Sequence, residues 1–313
     1  MNTSDKIFVA GHRGMVGSAI LRRLRADGHG NVLTRDHGEL DLADRASVDA
    51  FFAAERPDIV FLAAAHVGGI LANDSRPADF ILENLKIQTN VIDAAWRAGT
   101  RKLQFLGSAC IYPRLAEQPM KETALLTGPL EPTNEMYAVA KIAGLKLCEA
   151  LNRQYGFDAT AIMPTNLYGP GDNFNLAGSH VMPALIRKFH EAREAGAPSV
   201  EVWGTGAVLR EFLHVDDMAS AAVFLMRTYD EPTFINVGSG EEISVADLAR
   251  LVADIVGFTG EIVFDAAKPE GMPRKLLDSS RLRALGWQPS IRLADGIGEV
   301  YQWYRSHRDE IRG

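Results

Sequence analysis

Apolar runs of strand length alternate with stretches of helical periodicity through the first half of the chain. This alternation predicts βαβ units and a parallel sheet with helices on both faces. Three crossover helices, with apolar residues three and four positions apart, are predicted at 15–26, 77–98 and 135–155. The strands between them are predicted at 6–10, 31–34, 58–63, 102–107 and 158–163.

The pattern becomes irregular after residue 163, where the stretch 164–179 is rich in glycine and asparagine and is predicted to be a binding loop. Strands are predicted beyond it at 200–203, 234–237 and 262–264, and helices near 217–226, 244–256 and 294–304. The fold class is therefore α/β, a Rossmann doubly wound parallel sheet with a smaller C-terminal α/β domain. We expect a cofactor domain over 1–165, to which segments near 203–237 return, and a mainly substrate-binding domain over 166–313.

Composition narrows the possible partners. The chain has 313 residues, of which 47% are hydrophobic and 23% charged, and its net charge is −7. This balance provides no broad basic surface for nucleic acid or an anionic membrane, and no apolar run approaches the roughly 20 residues of a membrane span. The two cysteines, Cys110 and Cys148, have no metal-ligand spacing and suit a reducing compartment. We expect a cytoplasmic protein without metal.

A glycine-rich turn follows the first strand and opens a helix. Its spacing is Gly-x-x-Gly-x-x-Gly, and glycine there permits a tight turn and a close approach of the backbone to a pyrophosphate, which the helix N-terminus attracts. The predicted contacts with a dinucleotide are Gly11, His12, Arg13, Gly14, Met15, Val16 and Gly17.

The end of the second strand decides which nicotinamide cofactor is expected. Arg35 comes first after this strand, and Arg13 in the glycine turn can reach the same phosphate, so NADP (NADPH) is favoured. The alternative is that Arg35 is a surface charge and Asp36 binds the ribose hydroxyls of NAD. Asp41 and Leu42, in the following loop, are predicted to contact the adenine edge.

A tyrosine and a lysine stand four positions apart on the third predicted helix, so both project from one face. Tyr137 is a candidate acid for a substrate carbonyl, and the ammonium of Lys141 is expected to lower its pKa and to hold the nicotinamide ribose. Ser108, at the end of the fourth strand, is placed to donate to the same carbonyl oxygen.

Cys110 and His180 suit a second kind of chemistry. A thiol and an imidazole beside a polarised ketone can remove and return protons at the adjacent carbons, which indicates epimerisation as well as reduction. The alternative is a small buried cysteine and a surface-loop histidine.

Several blocks together resemble the GDP-L-fucose synthase family, in the extended branch of the short-chain dehydrogenase/reductase superfamily. They are Gly-His-Arg-Gly-Met-Val-Gly, Ala-Ala-His-Val-Gly-Gly-Ile, Gly-Ser-Ala-Cys-Ile-Tyr-Pro, Glu-Pro-Thr-Asn-Glu, Pro-Thr-Asn-Leu-Tyr-Gly-Pro, Asp-Asn-Phe with the following Ser-His, and Arg-Glu-Phe-Leu-His-Val-Asp-Asp. The resemblance implies a bifunctional enzyme that inverts C3 and C5 of GDP-4-keto-6-deoxy-D-mannose and reduces C4 with NADPH, giving GDP-L-fucose. Cys110 would be the base and His180 the acid.

The resemblance also implies binding residues and a homodimer, formed through helices 77–98 and 135–155. His66 is a departure, because many relatives carry lysine there. Contacts with the GDP-sugar substrate are implied at Asn166, Lys188, Trp203, Arg210 and Asp278. Further contacts with the cofactor are implied at Leu106, Gly107, Lys141, Pro164, Thr165, Asn166, Leu167 and His180.

Two other functions fit part of this pattern. A sugar-nucleotide 4-epimerase or 4,6-dehydratase shares the tyrosine and lysine, but dehydratases usually carry Thr-Asp-Glu or a similar sequence after the fourth strand, where this chain has Ser-Ala-Cys. A non-catalytic NADP-sensing module is expected to lose Tyr137 or Lys141, and both are present.

Overall fold

A computed structural model describes residues 1–176, 178–268 and 271–308. Its largest element is a six-stranded parallel sheet in the order β2-β1-β3-β4-β5-β9. The strands are β1 Ile7–Ala10, β2 Val32–Leu33, β3 Ile59–Leu62, β4 Lys102–Leu106, β5 Asp158–Pro164, β6 Asn166–Tyr168, β7 Ser199–Trp203, β8 Leu209–His214, β9 Ile235–Val237, β10 Glu242–Ser244, β11 Glu261–Asp265 and β12 Arg274–Lys275.

Ten helices accompany these strands in the described residues. They are α1 Met15–Ala26, α2 Arg45–Glu55, α3 Ile70–Ser75, α4 Pro77–Arg97, α5 Glu135–Tyr155, α6 Val181–Ala195, α7 Val215–Thr228, α8 Val245–Val256, α9 Ser280–Ala284 and α10 Leu293–Ser306. Within the part of the chain that the structure describes, none of them is long and apolar enough to cross a membrane.

Side chains that alternate along the parallel strands supply two cores, one on each face of the sheet. On one face Phe8 packs with residues of α4 and α5, and on the other Ile7 and Val9 pack with residues of α1 and α7. Both sides of each strand are therefore buried, which explains why the strands appear in the sequence as continuous apolar runs. The predicted parallel sheet with helices on both faces is confirmed.

A third core lies in the C-terminal half, where α6, α8 and α10 pack around β7 and β8. β8 pairs with β6 and β12 in parallel and with β10 antiparallel, and β7 pairs with β11 in parallel. β9, which follows β8 in sequence, pairs with β5 in the six-stranded sheet. The boundary near residue 165 stays a prediction, and residues 309–313 of the second predicted domain lie outside the described residues.

Local signals account for most of the helix boundaries. Asp44 accepts a hydrogen bond from the Ser47 amide at the start of α2, Ser244 does the same for Asp247 at α8, and Gly156 ends α5 at a φ of 69°. The loop predicted over 164–179 is wrong at its beginning, because β5 runs through Pro164 and Asn166–Tyr168 forms β6. Its pairing partner, β8, is more than forty residues away, so local sequence does not indicate this strand.

Candidate active site

The glycine turn between β1 and α1 forms a cradle that side chains would fill. A Cβ on Gly11 would lie 2.7 Å from the Ala64 amide nitrogen, and one on Gly17 would lie 2.1 Å from the Gly11 carbonyl oxygen. Gly14 caps α1 with an extended backbone, so the helix begins at Met15 with its first amides free to bind an anion. This backbone fits the pyrophosphate of a nicotinamide dinucleotide.

The two arginines predicted for the 2′-phosphate are each paired with a carboxylate. A guanidinium nitrogen of Arg13 lies 2.5 Å from Asp36, whereas Arg35 contacts Glu55 at 2.7 Å and lies over a phenyl ring. Asp36 also lies 3.2 Å from the imidazole of His12. The pairing of Arg35 with Glu55, on α2, was not expected from the sequence.

The predicted adenine contacts lie in the turn before α2. The Asp41 carboxylate accepts a hydrogen bond from the Ala43 amide at 2.9 Å, and the side chain is exposed. Leu42 is partly buried against the first core, and its carbonyl accepts a hydrogen bond from Asn90 at 3.1 Å. Contact of Asp41 and Leu42 with the adenine edge stays a prediction.

Ser108 and Lys141 meet at the carboxyl end of β4. The ammonium of Lys141 donates to the Leu106 carbonyl at 2.9 Å, and burial lowers the pKa of this lysine to about 8. A Cβ on Gly107 would lie 2.1 Å from the terminal carbon of Met163, so the buried Met163 side chain would have to move to admit one. Ser108 accepts a hydrogen bond from the Cys110 amide at 3.4 Å, which aims its hydroxyl at the same end of the strand.

Tyr137 differs from the expectation for its pKa. Burial raises the pKa of the phenol and the neighbouring Cys110 acts in the same direction, while a hydrogen bond with Ser108 opposes them. The Lys141 ammonium is bonded to a carbonyl and lies 5.8 Å from the centre of the tyrosine ring, so it does not overcome burial. Tyr137 is therefore held as a phenol, which can donate a proton.

Cys110 is a free, buried thiol beside the same residues. Burial raises its pKa, and four interactions oppose this: the ammonium of Lys275, a hydrogen bond with Ser108, the ammonium of Lys141 and a hydrogen bond with the backbone amide of Cys110 itself. Lys275 lies on β12, paired in register with Arg210 on β8. Sequence reasoning missed Lys275, because only the pairing of β12 with β8 brings position 275 to the carboxyl end of β4.

His180 lies directly before α6, as the N-cap residue of this helix. Its side chain is exposed, but the surrounding protein lowers its pKa and Lys275 acts in the same direction. The preceding residues contact the loop after β3: the Gly69 amide donates to the Gly178 carbonyl at 3.0 Å, and a Cβ on Gly69 would lie 2.7 Å from the Ser179 carbonyl. This glycine therefore permits the contact that positions His180.

His66, the departure from many relatives, lies in that same loop. Its imidazole contacts the carboxylate of Glu83 at 2.6 Å and meets the edge of the Phe80 ring at 4.5 Å. Phe80 in turn meets Tyr137 at 6.3 Å between ring centres. His66 therefore packs against Phe80, the ring that in turn packs against Tyr137.

A buried glutamate links the cofactor loop to the substrate strands. The Glu211 carboxylate accepts hydrogen bonds from the amides of Gly240 at 2.7 Å and Leu277 at 3.0 Å, and its carbonyl accepts from Asn166 at 2.8 Å and Thr165 at 3.3 Å. Pro164 pairs with β9, and Leu167 packs against the second core. The predicted cofactor segment Pro164, Thr165, Asn166 and Leu167 is therefore held in place by β8 and β9.

Two of the residues predicted to contact the GDP-sugar substrate, Trp203 at the end of β7 and Lys188 on α6, lie close together. Trp203 is 38% exposed, and the ammonium groups of Lys188 and Lys268 both lie 5.7 Å from the centre of its ring. Burial lowers the pKa of Lys188, Glu201 opposes this, and Lys268 acts with burial. Lys268 was missed because it follows a strand, β11, whose pairing with β7 is long-range.

Arg210 and Asp278 lie elsewhere in this region. Arg210 donates to the Leu209 carbonyl at 2.8 Å beside Lys275, whereas the Asp278 carboxylate accepts from the Ser280 amide at 2.9 Å. A hydrogen bond with the Ser280 side chain lowers the pKa of Asp278, and the Ser280 amide and Lys121 contribute. The contact of Asp278 with the substrate stays a prediction. Among the described residues, no group of three His, Cys, Asp or Glu side chains has a metal-binding arrangement.

Comparison with known proteins agrees with this arrangement. Residues 7–238 match the model of the NAD dependent epimerase/dehydratase family. The chain is 60% identical to "Probable GDP-L-fucose synthase 1" of Oryza sativa subsp. japonica, over 96% of this chain and 92% of that protein. It is 53% identical to GDP-L-fucose synthase of Escherichia coli (strain K12), over 99% and 100%.

Solved structures extend the likeness to the cofactor. The GDP-L-fucose synthetase of Naegleria fowleri bound to NADP superimposes with a TM-score of 0.91 at 28% identity, covering 100% of this chain and 98% of that one. The protein is thus an NADP-dependent oxidoreductase with a Rossmann-like fold. The family match and the full-length identities together show that the chain belongs to the NAD dependent epimerase/dehydratase family and, within it, to the GDP-L-fucose synthases.

Proposed function

We propose that this protein converts GDP-4-keto-6-deoxy-D-mannose into GDP-L-fucose, by epimerisation at C3 and C5 followed by reduction at C4. The observation that carries the proposal is the free thiol of Cys110 beside Ser108, Tyr137 and Lys141. A simple carbonyl reductase does not need a thiol there. Identity of 53–60% with GDP-L-fucose synthases over nearly the whole chain supports the same substrate.

Both epimerised carbons flank the C4 ketone, so the carbonyl acidifies their protons. Cys110 removes one such proton, and the resulting enolate oxygen accepts hydrogen bonds from Ser108 and Tyr137. His180, on the other side of the cleft, returns a proton to the opposite face of the sugar. The carbon is inverted, and before the next proton transfer Cys110 must give its proton to solvent and His180 must take one from solvent.

Cys110 must lose a proton although burial favours the thiol. The ammonium groups of Lys275 and Lys141 are the nearby charges that favour the thiolate. Since His180 has a lowered pKa, it is mainly neutral near pH 7 and gains its proton only transiently. Both groups can therefore change protonation state during a turnover.

Reduction uses the same oxyanion site. When NADPH is bound it supplies a hydride to C4. The oxygen at C4 becomes an alkoxide and takes the proton of Tyr137, whose raised pKa keeps that proton in place until the alkoxide forms. Lys141, held by the Leu106 carbonyl, is the adjacent cation that stabilises the phenolate left behind.

Turnover in heavy water tests the proposal. We expect NADPH oxidation and a product that carries deuterium at C3 and C5. Replacing Cys110 by serine should abolish the exchange while NADPH binding persists, and Tyr137→Phe should suppress reduction more than it weakens NADPH binding. Product with deuterium at neither carbon would exclude the epimerase half, and normal exchange in the serine variant would exclude Cys110 as the base.

We further propose that the enzyme is a cytoplasmic homodimer. Both cysteines are free, and the proposed chemistry needs a reduced Cys110. Exposed apolar side chains on α4 and α5, Leu82 at 54% and Val139 at 38%, support a dimer through these helices. Light scattering of the protein and of Leu82→Glu tests the dimer, and a monomeric mass for the unchanged protein would contradict it.

A further inference from the structure

The loop between β3 and α3 ends in an exposed apolar side chain that lies next to the candidate active site. Ile70 is the first residue of α3, directly after Gly68 and Gly69, and it is 37% exposed. A single exposed apolar side chain is common on protein surfaces and has no meaning by itself. The neighbours of Ile70 are what indicate a use for it.

On one side, the residue before Ile70 contacts the segment that carries His180. The Gly69 amide donates to the Gly178 carbonyl at 3.0 Å, and a Cβ on Gly69 would lie 2.7 Å from the Ser179 carbonyl oxygen. The backbone at the start of α3 therefore lies directly against the residues that precede His180. Ile70 is fixed relative to the group that the proposed epimerisation uses as its acid.

On a second side, the tip of Ile70 lies close to Arg210. A Cβ on Gly271 would lie 3.6 Å from Cδ1 of Ile70 and 3.5 Å from a guanidinium nitrogen of Arg210. Gly271 has a φ of 73°, in the left-handed region that favours glycine. The end of the isoleucine and the end of the arginine therefore lie against the same stretch of backbone, and Arg210 is one of the predicted contacts with the sugar nucleotide.

On a third side, the same loop packs toward the catalytic tyrosine. A Cβ on Gly68 would lie 3.0 Å from Cζ of Phe80, whose ring meets the ring of Tyr137 edge-on at 6.3 Å between centres. Helix α3 also packs against the turn Pro132–Asn134, which leads into α5. The position of Ile70 is therefore tied to that of Tyr137 as well.

A sugar that reaches Tyr137, His180 and Arg210 must lie beside Ile70. The hexose of the proposed substrate has hydroxyl groups, a ketone and a ring ether, and its only apolar substituent is the methyl group C6, on the carbon next to the ketone. Contact with an apolar side chain removes a methyl group from water at a gain. A hydroxyl group at the same position would lose hydrogen bonds to water without a partner.

We propose that Ile70 contacts the C6 methyl group and selects 6-deoxy sugar nucleotides over those that carry a hydroxyl group at C6. The inference rests on the proposed function and names the part of the sugar that this side chain recognises. An apolar contact of this kind distinguishes ligands by about 10- to 200-fold when the site encloses them. Because Ile70 is partly exposed, we expect the lower end, a preference of about tenfold.

Titration calorimetry with GDP-L-fucose and GDP-L-galactose tests the proposal, because these two compounds differ only in the hydroxyl group at C6. The protein is saturated with NADPH, which cannot oxidise the alcohol at C4, so binding is measured without turnover. The unchanged protein should bind GDP-L-fucose about tenfold more tightly. In Ile70→Thr the added hydroxyl offers a hydrogen-bond partner, and the preference should fall to about threefold or less.

Two control variants separate recognition of C6 from support of the loop. Ile70→Leu keeps the apolar volume and should keep the preference. Leu285→Thr makes a similar change in a side chain that is 41% exposed at the end of α9, and it should also keep the preference. If Ile70→Thr weakened binding of both compounds by the same factor, the residue would support the loop without recognising C6, and the proposal would be overturned.

Failure of this inference can be told apart from failure of the proposed function. Binding of both compounds with equal affinity by the unchanged protein, or a tenfold preference that survives in Ile70→Thr, would overturn the role of Ile70 alone. Binding of neither compound, while NADPH still binds, would contradict the proposed substrate and the inference with it.

Discussion

The cofactor end of the cleft and the substrate end are built in different ways. At the cofactor end, contacts depend on the absence of side chains: Gly11, Gly17 and Gly107 each lie where a Cβ would collide with neighbouring atoms. At the substrate end, contacts depend on charged side chains that strand pairing brings together, as β12 brings Lys275 beside Arg210. Glycines that keep the space beside the backbone open form a local sequence motif. Charged residues that strand pairing brings together come from distant parts of the chain and form no such motif.

The difference also concerns tolerance. The glycine turn contacts the pyrophosphate through its backbone alone. It can therefore bind any dinucleotide that carries a pyrophosphate, so it specifies a class of cofactor. A set of charged side chains on β7, β8 and β12 specifies one end of one substrate, and each of its members can change without loss of the fold. The largest mutational effects are therefore expected at the glycines and the smallest at the lysines.

The strongest expected effect is at Gly17. Gly17→Ala places a carbon within about 2 Å of the Gly11 carbonyl, so the turn or α1 must shift. We expect NADPH binding to weaken at least 100-fold and stability to fall by about 1–3 kcal/mol. Titration with NADPH and chemical denaturation measure both. Gly30→Ala is the control, because nothing lies within 4 Å of the added carbon. If Gly17→Ala changed NADPH binding and stability only slightly, cofactor binding would not depend on the space that Gly17 leaves beside the backbone.

Glu211 tests the connection between the two ends. In Glu211→Gln, the amide group faces one of the two backbone amides, of Gly240 or Leu277, that the carboxylate now accepts from. A buried donor then has no acceptor, at a cost of about 1–3 kcal/mol. We expect lower stability and a higher KM for the sugar nucleotide. An unchanged KM with lowered stability would show that Glu211 supports the fold without positioning the site.

Sequence alone predicted the parallel sheet, because buried parallel strands are apolar throughout and their helices are amphipathic. It also predicted Ser108, Cys110, Tyr137 and Lys141, which lie on or directly after such elements and are brought together at the carboxyl end of β4. These residues needed no knowledge of distant pairings. Their roles stay predictions until turnover is measured.

The remainder depends on long-range contacts. Lys275, Lys268 and Glu211 lie on or next to short strands whose partners are far away in sequence, and two-residue strands such as β12 have no periodicity to detect. The sign of the Tyr137 pKa shift was also beyond reach, since it depends on how deeply the phenol is buried and on where the Lys141 ammonium points. The burial of the phenol and the direction of the ammonium are both set by tertiary structure.

The pH dependence of the cofactor end follows from Lys141. With a pKa of about 8 the ammonium is lost as pH rises, so kcat/KM for reduction should fall about tenfold per pH unit above that value. The free energy of unfolding should instead increase as the pH rises. The folded pKa lies below the value of 10.5 for a free lysine, so the neutral form is favoured by folding and stability increases between pH 8 and 10.5, by at most about 3 kcal/mol. Lys141→Met should lose this increase in denaturation measurements; a variant that keeps it would exclude Lys141 as its source.

The smallest effect is expected at Lys268, and it tests the substrate end most directly. Lys188 and Lys268 place two ammonium groups at equal distance from the Trp203 ring, where they repel each other, and an anionic nucleotide relieves that repulsion on binding. Lys268→Ala should therefore raise the KM for the sugar nucleotide by about 3- to 10-fold, weaken its salt dependence and leave kcat and NADPH binding unchanged. Arg250→Ala removes an exposed charge from α8 as the control. Lys268→Ala could instead weaken NADPH binding as much as sugar-nucleotide binding. The same charges would then act at both ends of the cleft, and the distinction between a cofactor end that depends on glycines and a substrate end that depends on charged side chains would be wrong.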